Sequence, residues 1–430
     1  MGRGFERRPE TGLGQKMVRK LFRKARIYTP RDPGEPLRGK DQGSVTAFPK
    51  GALLVEDGIL AAIGPEKEVL DRVAEGQLCQ EVDLEGMCVI PGLVDPHTHM
   101  CFVGTREREF QMRCEGTSYL EILAAGGGIL STVQKVRQAK EEELLAETTR
   151  RVRRAMALGT TSLEVKSGYG LNIQDELKML RVIERAARLT GADVSPTFLG
   201  AHAIPPEFKH SPGGYVDLVV EEMLPRVSQQ GIAGFCDVFC EEGVFSPEET
   251  RRILERARGL GLGLKIHADE IQDTGGAKLA AELGAVSAEH LLSASHEGLK
   301  AMAEKGVIAI LLPATALSLR KPYARAREMI QLGVPVALAT DCNPGSSYTH
   351  SMPLIMALAV LGMGLSVEEA LVASTINGAY AIGMAEKVGT LEVGKQADFV
   401  VLDGETPWII PYSIGAHSCV RAVYKRGERV

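Results

Sequence analysis

The feature that most limits how this chain can fold is a series of eight short apolar runs, each suited to a buried strand and separated from the next by helical spacing. The runs are 91–99, 161–165, 194–200, 235–240, 263–267, 286–290, 307–312 and 336–341. Between them, 141–157, 173–189, 247–260 and 275–283 repeat apolar residues at helical intervals. Strands joined through helices cannot form tight hairpins and must pair in parallel. Eight such units predict an α/β fold, a (β/α)8 TIM-like barrel spanning 91–386. The first crossover, from Met100 to Gly159, is unusually long, and long loops on that face of a barrel build pockets.

The flanks read differently. Residues 52–55, the turn Glu56-Asp57-Gly58 and 59–64 form a hairpin signal, with Asp-Gly suited to positive φ. Residues 398–402 and 420–424 are again strand-like. Neither flank has enough strands for a core of its own. We therefore expect 27–90 and 387–430 to fold together as one small β-sandwich, and 1–26, rich in Arg and Lys, to be a basic solvated extension.

Composition narrows the classes of function. With 44% hydrophobic and 24% charged residues and a net charge of −5, nothing marks a nucleic-acid or anionic-membrane surface, which leaves a small-molecule partner. The eight cysteines form no CxxC pair, which predicts reduced thiols. No apolar run has transmembrane length and the N-terminus lacks the apolar core of a secretory leader, so the expected address is the cytoplasm.

The polar groups at the ends of the runs carry the functional signal. His97 and His99 end the first run, and residues two apart on a strand face the same side. His202 follows the third run, His267 ends the fifth, His290 the sixth and Asp341 the eighth. In a parallel barrel these strand ends ring one site, so all six groups should converge. A bare His-x-His is more often a pair of satisfied polar residues at a strand edge. It is the whole set that points to a metal. His210, His296, His350 and His417 are expected on helices and loops.

These residues resemble the amidohydrolase superfamily. The pattern Pro91-Gly92-Leu93-Val94-Asp95-x-His97-x-His99, a lone His ending strand five, an Asp ending strand eight and the tail 394–403 carry the likeness. The segments 101–110, 126–129, 164–171, 197–202, 267–270 and 340–346 are similar to blocks of one branch, which hydrolyses a cyclic amide in histidine degradation. The likeness runs from about Leu53 to the C-terminus.

It implies His97, His99, His267 and Asp341 as ligands of one Zn2+ or Fe2+/Fe3+ per subunit, and a homodimer. It also implies Arg106, Tyr169, His202, Glu270, Asn343, Gly345 and Ser346 as substrate contacts. Three imidazoles and a carboxylate suit either metal, which would lower the pKa of a water from 15.7 toward about 7. Many relatives carry a carboxylated lysine at the end of strand four, for a second metal. Here that end reads Cys240-Glu241-Glu242, so one metal is expected, although Glu241 or Glu242 could assist a second.

The expected reaction is ring opening of an imidazolone that bears a propanoate arm. Glu270, His290 and Asp341 form the catalytic set, with Asp341 or His290 steering the water and Glu270 moving a proton to the departing nitrogen. Arg106, with Tyr169 and Tyr119, would hold the propanoate. Tyr169, between two glycines, is expected to be an exposed reader and not a core aromatic. The Gly126–Gly128 run lacks the order of a phosphate loop. A cytosine- or guanine-type deaminase is the alternative, since His267-x-x-Glu270 and His290 also suit attack on an amidine carbon. A neutral nucleobase gives no reason for Arg106. A noncatalytic scaffold on the same barrel would not need the complete ligand set.

Overall fold

A computed structural model describes residues 18–73, 79–117, 121, 126–414 and 418–430. Tyr119 and His417 lie outside the described residues. Eight parallel strands run in chain order around the barrel: β6 (Leu93–Asp95), β7 (Thr160–Lys166), β8 (Asp193–Ala201), β9 (Phe235–Cys240), β10 (Gly263–Ala268), β11 (Ser287–His290), β12 (Ile308–Leu311) and β13 (Val336–Leu338). Closure between the last and first strands comes just beyond their ends. There Asp341 N–H donates to the His97 carbonyl at 3.0 Å and His99 N–H to the Cys342 carbonyl at 3.0 Å. Strands such as Ile308-Ala309-Ile310-Leu311 are apolar throughout because both of their faces are buried.

The second sheet combines β1 (Arg19–Pro30), β2 (Val45–Glu56), β3 (Ile59–Pro65), β4 (Gln80–Asp83) and β5 (Cys88–Pro91) with β14 (Phe399–Leu402), β15 (Val420–Lys425) and β16 (Glu428–Arg429). The hairpin turn between β2 and β3 places Asp57 at φ 48° and Gly58 at φ 84°. Two expectations are corrected here. The strands pair into one continuous sheet, not two stacked ones, with β14 joined to β5 at its centre. It curls round a core that includes Phe22, Leu53, Val89 and Phe399, and backbone bonds between Leu60 and residues 394–395 tie β3 back toward the start of β14.

The second correction concerns the extension. Arg19 to Arg26 are part of β1, not solvated chain. Leu21, Phe22 and Ala25 turn inward, while the basic residues meet acids: Arg23 meets Glu66 (3.0 Å) and Glu81 (2.9 Å), Lys24 meets Asp83 (2.5 Å), and Arg26 meets Glu405 (3.2 Å). Within β1 the basic residues from Arg19 to Arg26 are thus paired with acids.

Sheet and barrel are joined by a single residue, Gly92, between β5 and β6. A Cβ there would lie 2.2 Å from Thr161 Oγ1, so the ligand-bearing strand can follow the sheet this closely only through glycine. A polar pair, Gln42 and Asn377, holds the start of β13. Gln42 Nε2 donates to the Val336 carbonyl at 2.9 Å and its Oε1 accepts Val336 N–H at 3.0 Å, which mimics a neighbouring strand. Asn377 bonds Leu37 N–H (2.8 Å), the Leu37 carbonyl (2.8 Å) and the Val336 carbonyl (2.9 Å), all buried. Asn377→Ala strands these groups and is expected to cost roughly 2–4 kcal/mol. Urea midpoints at an unchanged m-value measure it, and a loss below about 1 kcal/mol would show that the groups find other partners.

Candidate metal centre and substrate pocket

The structure brings His97, His99, His267 and Asp341 together at the C-terminal mouth of the barrel. The Nε2 atoms of His97 and His99 are 3.2 Å apart, and those of His99 and His267 are 3.4 Å apart. Asp341 Oδ1 lies 3.5 Å from each of His97 Nε2 and His99 Nε2. A tetrahedral ion with bonds of about 2.0–2.1 Å separates its donor atoms by about 3.3–3.4 Å, so the separations among His97, His99 and Asp341 and between His99 and His267 fit Zn or another first-row metal, while His267 and Asp341 stand farther apart. All four residues are at most 3% exposed. Thr315 donates its hydroxyl to Asp341 Oδ2 at 2.6 Å, which turns Oδ1 toward the imidazoles.

Electrostatics favour neutral, donor-ready rings. Burial holds His97 and His99 far below the ordinary imidazole range, reinforced by the nearby cation of Lys166 and by the other imidazoles. His267 moves the other way. Burial lowers it, but the Asp237 carboxylate, whose Oδ2 is 2.9 Å from its Nδ1, raises it on balance. That contact turns Nδ1 toward the carboxylate and leaves Nε2 to the centre.

The groups around the ligands have separate settings. Burial pushes His202 and His290 down to about 3, so both are neutral. His202 Nδ1 is 3.0 Å from the Gly168 carbonyl; a carbonyl can only accept, so Nδ1 carries the proton and Nε2 is open. Its ring stacks on His99 at a centroid separation of 5.0 Å. Glu270, raised by burial against the opposing charges of His267 and Lys321, places Oε1 3.6 Å from His290 Nδ1. Asp269, His290, Leu291 and Asp341 all have φ between 50° and 71°. Left-handed backbone at non-glycine residues, clustered where β10, β11 and β13 end, marks strain held by the site.

Several candidates serve in ways the sequence did not suggest. Arg106 gives Nε (2.9 Å) and Nη2 (2.7 Å) to the Glu109 carboxylate, so its two-pronged edge is already taken. Its remaining Nη1 faces Gly345, where a Cβ would come within 2.5 Å. Asn343 organises its own loop: Oδ1 accepts the N–H groups of Gly345 and Ser346, each at 2.8 Å, and Nδ2 donates to the Asp341 carbonyl at 2.7 Å. Arg106, Gly345 and Ser346 line a cavity of about 350 Å3 with Phe110, Arg113 and Tyr348.

Tyr169 is corrected from exposed to buried, at 3% exposure, though its ring stays 6.1 Å from that of His99. The cause is Glu176, whose carboxylate accepts the N–H groups of Gly168, Gly170 and Leu171 and pulls the loop inward. Glu241 likewise spends its carboxylate on Ile271 and Gln272 N–H at 2.9 and 3.2 Å, away from the four ligands.

Sequence reasoning missed the charged chamber behind the imidazoles: Glu164 and Lys166 on β7, Asp237 on β9, Lys265 on β10 and Glu289 on β11, all fully buried. The signal was present. Lys265 lies two residues before His267 on one strand, and Glu164 two before Lys166, the spacing that aims side chains to the same side.

A model of the amidohydrolase family matches residues 88–430. The chain is 62% identical to an imidazolonepropionase from Syntrophobacter fumaroxidans, over 96% of this chain and 97% of that protein. It is 58% identical to one from Desulfotalea psychrophila, over 96% and 100%. Among solved structures, E. coli guanine deaminase superposes with a TM-score of 0.72 at 15% identity, covering 96% of this chain and 99% of that one. A triazine hydrolase variant gives 0.73 at 18%, covering 96% and 94%. At such identities the structural likeness speaks for the fold alone, whereas the sequence likeness is close and runs nearly end to end. The chain belongs to the amidohydrolase family and, within it, to the imidazolonepropionases.

Proposed function

We propose that this protein hydrolyses 4-imidazolone-5-propanoate to N-formimidoyl-L-glutamate. Water adds to the ring carbonyl, the amide C–N bond breaks, the ring nitrogen departs with a proton, and the carbonyl carbon becomes a carboxylate of the product. The observation that carries this reading is a buried three-imidazole and carboxylate set, with Arg106 and Arg113 lining a cavity walled by the loop that follows Asp341, in a chain 62% identical to an imidazolonepropionase. One Zn2+ or Fe2+/Fe3+ per subunit, held by His97, His99, His267 and Asp341, would supply a water of lowered pKa and Lewis acidity toward the carbonyl.

The remaining work falls to the chain. Glu270, uncharged more readily than an ordinary glutamate, takes a proton from the attacking water and returns it to the departing ring nitrogen. Neutral His290, 3.6 Å from Glu270, orients that exchange together with Asp341. His202 presents Nε2 as an acceptor for a ring N–H, and Tyr169 packs against it at 5.4 Å. The Asn343 loop sets Gly345 and Ser346 beside Arg106, where the propanoate meets the Nη1 edge left free by Glu109.

The deaminase alternative predicts ammonia release from guanine or cytosine; ring opening releases none. Incubation with each compound separates the two, and ammonia from a nucleobase without turnover of the imidazolone would reverse the assignment. Within the pocket, Arg106→Ala is expected to lose roughly 2–4 kcal/mol in kcat/KM toward the imidazolone acid. An imidazolone without the side chain should react almost equally with both proteins. Equal losses on the two compounds would make Arg106 a support for Glu109 and its loop.

The reading extends to a cytoplasmic homodimer. Among the described residues no helix is long and apolar enough to cross a membrane. Leu354 and Leu361 on the helix Met352–Met363, with Trp408 and Tyr412 around the short helix packed against it, expose apolar surface suited to a second copy.

A further inference from the structure

Behind the ligand histidines the barrel axis is filled with charge. Lys166 Nζ lies 2.7 Å from Glu164 Oε2, 2.7 Å from Asp237 Oδ2 and 3.8 Å from Glu289 Oε2. Lys265 Nζ is 2.9 Å from Glu164 Oε1, which also accepts the Thr197 hydroxyl at 2.5 Å. Ser287 donates to Glu289 Oε1 at 2.7 Å. Glu164 is thus shared by two lysines, whereas Asp237 and Glu289 are shared between Lys166 and the metal-ligand imidazoles. Asp237 Oδ2 is 2.9 Å from His267 Nδ1, and Glu289 Oε2 is 3.6 Å from His267 Nδ1 and 3.7 Å from His97 Nδ1.

Three carboxyl groups against two ammonium groups leave the chamber one carboxyl in excess, all of it buried, and burial together with the Asp237 charge pushes Glu289 up to about 7. Unpaired charge in such a place is strongly unfavourable, and like charges this close push apart unless a cation stands between them. Lys166 is the cation in that place: it touches the outer carboxylates of both imidazoles, while Lys265 pairs with Glu164, bonds the Pro96 carbonyl at 3.4 Å and lies over the Phe235 ring.

We infer that Lys166 is a positioning residue, an internal cation that holds Asp237 and Glu289 against His267 and His97. The inference rests on the metal reading above. Oriented from behind, the two imidazoles keep Nδ1 toward the carboxylates and Nε2 toward the metal. Without Lys166, Asp237 and Glu289 repel each other and splay, carrying the imidazoles with them. If charge balance is the cause, removing one carboxylate together with Lys166 restores the excess of one, since two carboxylates then face one ammonium.

The test is zinc affinity by chelator competition on metal-stripped, reloaded protein, with imidazole 15N shifts of the zinc form as the signature of tautomer. Lys166→Met keeps the length of the side chain and removes its charge. It is expected to weaken zinc at least about 10-fold, on the scale of losing an outer partner of a ligand, and to shift the His267 and His97 signals. Lys166→Met/Glu289→Gln is expected to recover affinity to within about threefold of the parent. Unchanged affinity in the single variant, or a double variant as weak as the single, would reduce Lys166 to packing. If the single variant does not fold, the double variant decides alone: near-parental zinc binding supports the assignment and its absence overturns it. Failure of the parent protein to hold zinc or iron would instead overturn the metal reading.

Discussion

Glu270→Gln is expected to lower kcat by roughly 10²- to 10⁴-fold while the protein keeps its full metal content. The amide preserves shape and most hydrogen bonding but cannot take a proton from water. The pH profile supplies a second readout. Burial raises the Glu270 carboxyl above its ordinary value of 4.5, with His267 and Lys321 opposing. A base works only when deprotonated, so activity should fall as pH drops through that raised value, and this acid limb should be missing from the residual activity of the Gln variant. Near-normal turnover would remove Glu270 from the reaction and leave His290 or Asp341 as the proton acceptor.

The second large effect is His267→Ala. His267 supplies one of the four donor groups, its Nε2 3.4 Å from that of His99. The purified variant should carry well under a tenth of an equivalent of metal against about one for the parent, with turnover lost in proportion. Exposed His210 provides the control, since its alanine variant should keep metal and rate. Full metal content in His267→Ala would mean that the four groups do not act as a ligand set.

Much of this architecture was legible because its causes are local and periodic. All eight barrel strands overlap the apolar runs, and the helices Glu141–Ala157 and Pro247–Gly259 follow their apolar spacing closely. His97, His99, His267 and Asp341 stood out because parallel topology turns strand ends into neighbours. Pairings between distant charges were not legible. The carboxylates that neutralise β1 lie 37 to 408 positions away, from Arg19 with Glu56 to Lys20 with Glu428, and nothing local marks them as partners. The pull of Glu176 on the Tyr169 loop is a contact between a helix and the loop before it, hidden because Glu176 reads as an ordinary first-turn acid. Arg106 was read as free to meet a ligand, yet Glu109, one helical turn on, lay in plain view as a partner.

The pairing of β5 with β14 has a consequence for how the protein is made. Cys88 sits opposite Leu402, so a ribosome must produce the whole barrel before the first sheet gains its central neighbour. Until then β5 presents an open edge to other nascent chains, and long-range closure of this kind is slow. The strand that leads into His97 and His99 begins one residue after β5, on the far side of Gly92. Its final placement therefore waits for the last part of the chain to emerge. Metal capture becomes a late event in the life of the polypeptide, sensitive to truncation at a terminus that never touches the active centre.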